Sequence, residues 1–184
     1  MKATAIRKGT VIIYQGAPYR VMEFTHITPG KGRALVKVKL RNLLLGNQTE
    51  VSFASSEDVE EANVFSYKAT YLYKDQDGYC FMNKETYEQV HLDDETLGDA
   101  VYYLQDEMEV DITTYENKPI AVKVPSSVVL TVVETQPEIK GATATNVYKP
   151  AITDTGLSIS IPPFIKEGEK IIVNTDTKEY VSRA

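Results

Sequence analysis

The chain has 184 residues, 42% of them hydrophobic and 25% charged, which are the proportions of a globular protein with a buried core and not of a disordered or fibrous chain. Its one cysteine, Cys80, excludes an internal disulfide framework, and no run approaches the ~20 apolar residues of a membrane-spanning helix. The formal net charge is −6, yet residues 1–49 hold nine Lys or Arg and one acid, Glu23, while residues 65–127 hold thirteen acids against five cations, so one end is suited to phosphate and the middle to water or a basic protein.

Strand signals fill the first segment. "TVIIY" leads into the turn "QGAP", "YRVMEFTHI" into "TPGKG", "RALVKVKLR" into "LLGNQ", and "TEVSF" closes the set. Val36, Val38 and Leu40 alternate with Lys37, Lys39 and Arg41. The two-residue period of a strand sends the apolar set inward and all three cations to one outer face. This predicts a small barrel whose basic stripe leads to a hairpin tipped by Lys31. The acidic run "SSEDVEEANV" is the expected boundary of a first domain, residues 1–64.

The second segment reads as the strands "SYKATYLYK", "YCFMN" and "YEQVHL", with the turn "DQDG" between the first two. "DDETLGDAVYYLQ" follows with Leu97, Val101 and Leu104 at helical spacing and Asp93 or Asp94 as cap. "MEVDITTY", the turn "ENKP" and "IAVKV" complete it. Three strands, a helix and two strands is the element order of an OB barrel, expected over residues 65–127. Residues 128–184 read as a further barrel of five strand-like pieces. A long loop, "QPEIKGATATNVYKPAITDT", follows the first strand, and the helix is replaced by loop. Units of about 60 residues are marginal alone, so the first two are expected to pack together.

Catalytic inventory is absent. His26 and His91 share no metal-ligand spacing. Cys80 has no histidine near it in sequence. "PGKGR" lacks the upstream glycine and the following Ser or Thr of a phosphate loop. "DQDG" has its glycine too early for a calcium loop, and the acids at 93–95 are accounted for by helix capping. No cofactor, no metal and no enzymatic activity are expected.

At this point a resemblance enters. "HITPGKGRALVKVKLRNLLLGNQTEVSF" is similar to the N-terminal domain of the bacterial elongation factor P family. The likeness continues through "TYLYKDQDGYCFMNKETYEQ" and through "VVETQPEIKGATATNVYKPAITDTGLSISIPPFIKEGEKIIVNTDTKEYVSR", covering nearly the whole chain. The resemblance implies an all-β fold: an SH3-like (KOW-like) barrel followed by two OB barrels, in an L-shaped, tRNA-like arrangement. It implies a translation factor that binds the ribosome between the peptidyl and exit sites and stimulates peptide-bond formation at consecutive prolines.

Carried over residue by residue, the resemblance makes Lys31 the tip that reaches toward peptidyl-tRNA and is often covalently extended. Pro29, Gly30 and Gly32 would shape the tip, with the glycines permitting tight bends free of side-chain bulk. Arg33, Lys37, Lys39 and Arg41 would meet RNA phosphates. Where the family commonly has Gly-Asp-Thr facing the exit-site codon, this chain has Gly141, Ala142 and Thr143. The implied partners are the ribosome, peptidyl-site tRNA, ribosomal RNA and a lysine-modifying enzyme, with no membrane, for a monomer. "MKATAIRKGT" lacks the apolar run of a signal peptide, and a cytoplasmic location is expected. The alternative is a general single-stranded RNA-binding OB protein, which would not need Lys31. A hydrolase using the acids at 93–95 would need a nucleophile or base that the sequence does not pair with them.

Overall fold

A computed structural model describes residues 1–138 and 147–184, and it is all-β, built from three five-stranded antiparallel sheets of small-barrel type. The chain forms two compact units, residues 1–67 with 112–121 and residues 68–111 with 122–184.

The first sheet has the order β4-β3-β2-β1-β5, from β1 (Val11–Tyr14), β2 (Ala17–Ile27), β3 (Leu35–Asn42), β4 (Gln48–Ala54) and β5 (Glu60–Glu61). Tyr14 pairs with Ala17, so the β1–β2 turn is only Gln15 and Gly16, both at positive φ (50° and 78°). This is the turn type whose twist matches a hairpin. Val36, Val38 and Leu40 are buried in one cluster with Ile6, Ile12, Tyr19, Val21 and Phe53. The run at 55–64 is more than a boundary. Glu60 and Glu61 pair with Ile13 and Ile12, and Val59 and Ala62 on either side are buried.

The second sheet has the order β10-β9-β6-β7-β8, with β6 (Phe65–Asp75), β7 (Gly78–Asn83), β8 (Gln89–Leu92), β9 (Glu109–Tyr115) and β10 (Lys118–Lys123). Between β8 and β9 lies the helical segment, in the expected place but of another kind. A single α turn, α1 (Asp94–Leu97), is capped by the Asp93 carboxylate, which accepts from the Thr96 N–H at 2.8 Å. Gly98 at φ 55° then breaks it, and residues Gly98–Tyr102 continue as a 3₁₀ helix. The inward residues are therefore Leu97, Ala100 and Tyr103, three apart as a 3₁₀ period requires, followed by Leu104; Val101 is only half-buried.

The third sheet has the order β13-β12-β11-β14-β15, with β11 (Ser127–Thr135), β12 (Lys149–Thr153), β13 (Ser158–Ile161), β14 (Lys170–Asn174) and β15 (Glu179–Arg183). The stretch expected as one long loop thus contains β12. Pro150 hides it in the sequence, although Lys149, Ala151 and Thr153 alternate inward. The core of this sheet includes Tyr103, beside Val128, Leu130, Ile161, Ile165 and Ile171. Residues 65–67 and 112–121, which carry parts of β6, β9 and β10, group with the first sheet, while Tyr103, just after the 3₁₀ helix, joins the core of the third sheet.

Candidate nucleic-acid interface

β2 and β3 stop pairing at Ile27 and Leu35, and residues 28–34 project beyond the sheet as the tip. Residues 28–33 are all exposed, and the loop is tied at its base by the Ser55 N–H donating to the Ala34 carbonyl at 3.0 Å. Gly32 has φ 113°, a conformation that side-chain-bearing residues rarely adopt, and its missing Cβ would lie 3.7 Å from the Pro29 ring. Pro29 and Gly32 therefore face each other across Lys31. Gly30 differs from the expectation: its φ is not in the positive region and a Cβ there would meet nothing. The bend requires one glycine, not two. The Lys31 amine and the Arg33 guanidinium make no hydrogen bond or ion pair among the described residues, so two cations stand at the tip without counter-ions.

The outer face of β3 carries Lys37, Lys39 and Arg41, each in a cross-strand row. Lys37 lies between Thr25 and Ser52, and its amine reaches diagonally to the Glu50 carboxylate at 2.8 Å. Lys39 lies between Glu23 and Glu50 and makes no close ion pair among the described residues. Arg41 lies between Arg20 and Gln48. The stripe is thus not uniformly basic; two carboxylates neutralise its middle and leave cations at its two ends.

The strand alternation by itself misses Arg20. A bulge at Met22 changes the parity of β2, so Arg20 and Glu23 both face outward, whereas the pattern "RVMEFTHI" alone would group Arg20 with Met22, Phe24 and His26. His26 is exposed and packs edge-on against Phe24 at 5.8 Å, and the Arg7 guanidinium lies 5.5 Å from the centre of the Phe24 ring. Burial and the neighbouring Arg41 hold the Arg20 guanidinium below its ordinary range.

Elsewhere the residues considered for chemistry have structural roles. Cys80 is fully buried with its thiol 3.6 Å from the Gln89 side-chain oxygen. His91 pairs with Asp75 at 3.3 Å, and the Asp75 carboxylate also accepts from the Asp77 N–H at 2.8 Å to shape the β6–β7 turn. Among the described residues no group of three or more His, Cys, Asp or Glu is placed to hold a metal ion. Gly141, Ala142 and Thr143 lie outside the described residues. No helix among the described residues is long and apolar enough to cross a membrane.

Comparison with known proteins covers nearly the whole chain. Residues 2–59 match the family profile described as the elongation factor P KOW-like domain, residues 65–122 the elongation factor P OB domain, and residues 128–183 the elongation factor P C-terminal domain. Elongation factor P of Thermotoga maritima is 48% identical over 179 residues, 97% of each chain. That of Zymomonas mobilis is 45% identical over 179 residues, 97% of this chain and 96% of its own. A solved structure titled eukaryotic translation initiation factor 5A from Methanococcus jannaschii superposes with a TM-score of 0.46 at 22% identity, covering 66% of this chain and 94% of that one.

Proposed function

This chain belongs to the bacterial elongation factor P family and is a translation elongation factor, not an enzyme; from that premise we propose how it acts. The factor binds the ribosome between the peptidyl and exit sites and holds peptidyl-tRNA so that bonds between consecutive prolines form. Its domains are residues 1–64, 65–127 and 128–184. It acts as a cytoplasmic monomer. The observation that carries the proposal is the tip itself: one lysine, exposed and without a counter-ion among the described residues, at the end of a loop set by Pro29 and Gly32.

The chemistry needs no bond made by the protein. Proline is a constrained nucleophile, and a mobile donor–acceptor pair spends little time in attack geometry. Fixing the tRNA end supplies positional free energy, which reaches up to about 7–11 kcal/mol in ideal intramolecular reactions. Lys31 contributes reach, and a modifying enzyme that extends its amine would lengthen that reach. Arg33, Lys37, Lys39 and Arg41 contribute phosphate contacts that orient the tip without reading sequence. In the third domain, Gly141, Ala142 and Thr143 approach the exit-site codon through backbone and hydroxyl groups, without the acid that the family commonly has there.

Co-sedimentation with purified ribosomes tests the reading. The parent is expected to pellet with ribosomes carrying peptidyl-tRNA in preference to free single-stranded RNA of equal length. Equal affinity for both would favour a general RNA-binding protein.

A further inference from the structure

The Arg20–Arg41 pair stands apart from the rest of the first sheet. Their Cα atoms are direct cross-strand partners, so both side chains leave the same outer face about 5 Å apart at their bases. Like charges set opposite each other on a sheet destabilise it. The same face shows how the fold deals with cations elsewhere. Lys39 is flanked by Glu23 and Glu50, and Lys37 is bonded to Glu50.

The arginine row has no such relief. Its other members are Val11 beside Arg20 and Gln48 beside Arg41. Among the described residues neither guanidinium makes an ion pair or a hydrogen bond, and both side chains are half-buried, so water screens their repulsion only in part. Burial and Arg41 together work against the charge on Arg20, which nonetheless remains a cation at neutral pH. Two planar forks that share a face, are partly desolvated and lack a carboxylate form an arrangement completed by one tetrahedral oxyanion, since each fork can donate two parallel hydrogen bonds to phosphate.

We propose that Arg20 and Arg41 form a phosphate clamp, and that its occupant is a backbone phosphate of ribosome-bound RNA. The assignment of RNA rests on the elongation-factor reading given above; the clamp itself rests on the geometry of the free protein. Arg41 and the tip lie at opposite ends of β3, roughly 20 Å apart at the strand rise. A phosphate held at the far end would fix the angle at which the strand presents Lys31. Arg20 and Arg41 are thus positioning residues, and the neutralised middle of the face contributes less.

The test compares the parent with Arg20→Gln, Arg20→Lys and Arg41→Gln in two assays. In the first, melting of the free protein is followed in inorganic phosphate and in chloride at matched ionic strength. In chloride, Arg20→Gln is expected to melt at or above the parent, because the repulsion is gone. The extra stabilisation that the parent gains from phosphate should shrink in both Gln variants and fall between in Arg20→Lys, which keeps the charge but not the fork. In the second, ribosome affinity should fall about tenfold for either Gln variant, with a log–log salt slope shallower by about one.

Use of three variants keeps one misfolded protein from deciding the matter. If the phosphate gain is the same in parent and variants, there is no clamp. If the gain is lost but ribosome affinity and slope are unchanged, the clamp takes free phosphate and the RNA assignment is wrong. Failure of the elongation-factor reading would leave the first assay untouched, so the two failures are distinguishable.

Discussion

Lys37 Nζ lies 2.8 Å from Glu50 Oε1 across the β3–β4 pair, with both side chains about half exposed. An exposed pair of this kind adds little stability. It does change what Lys37 can give to RNA, because that cation already has a counter-ion in the free protein. Lys39→Gln is therefore expected to weaken ribosome binding more than Lys37→Gln. Glu50→Gln, which releases Lys37, is expected to strengthen it severalfold. The combined Lys37, Lys39 and Arg41 to Gln variant should fold normally and show a shallower salt dependence. Titrations at several salt concentrations measure all of these, and an unchanged slope in the combined variant would remove RNA contact from this face.

Gly78 closes the β6–β7 turn with φ 121°, and a Cβ there would sit 2.4 Å from the Leu92 carbonyl oxygen. Both the backbone conformation and the space exclude a side chain. Gly78→Ala should cost at least about 2 kcal/mol, read from urea denaturation. Gly30→Ala, at a glycine that the loop conformation does not require, should leave stability within about 0.5 kcal/mol of the parent.

Much of this was legible in the sequence, and the misses share a cause. The alternation of Val36, Val38 and Leu40 with three cations needs only the strand period, and the tip needs only the chemistry of Pro and Gly. Arg20 needs to be paired with Arg41 across strands, and the Met22 bulge shifts the parity that would reveal it. The same holds for β5, whose two glutamates belong to the sheet only through pairing with Ile12 and Ile13. In the helical segment, Leu97, Val101 and Leu104 fit a 3.6 period, but Gly98 at positive φ switches the period to three and turns Tyr103 inward instead. The order of residues along one segment carries its period; it does not carry cross-strand register.

Tyr103 supplies a stability test. Its side chain is 1% exposed within the core of the third sheet, and its hydroxyl has no hydrogen-bond partner among the described residues. A buried hydroxyl without a partner loses its hydration for nothing. Tyr103→Phe should therefore be neutral or stabilising by about 1 kcal/mol, and Tyr103→Ala should cost about 3–5 kcal/mol. A loss on Tyr103→Phe comparable to that on Tyr103→Ala would show that the hydroxyl is bonded after all.

Acid sensitivity has a named contributor. The Lys84 amine bonds the Glu109 carboxylate and, with Lys68, holds its pKa below the usual range. A depressed carboxylate pKa gives stability that is present above the unfolded value of about 4.3 and lost as pH falls through the lower folded value. The denaturation midpoint of the parent should exceed that of Glu109→Gln at pH 7, and the two curves should converge below about pH 4. Parallel curves down to pH 3 would mean that the pair contributes nothing in solution.

The central claim is that Lys31 is the working element of the tip, and translation of a reporter with three consecutive prolines, beside a proline-free control, tests it most directly. Lys31→Arg keeps the charge and most of the length but replaces a compact primary amine with a planar fork. Lys31→Ala removes reach altogether, while Arg33→Lys changes a cation beyond Gly32, where the loop turns toward β3. Both Lys31 variants are expected to fold, to bind ribosomes nearly as the parent does, and to lose most synthesis through the proline run, with Arg33→Lys close to the parent. If Lys31→Arg and Lys31→Ala both support the proline reporter as well as the parent, the tip lysine is not what positions the tRNA, and the account is wrong at its centre.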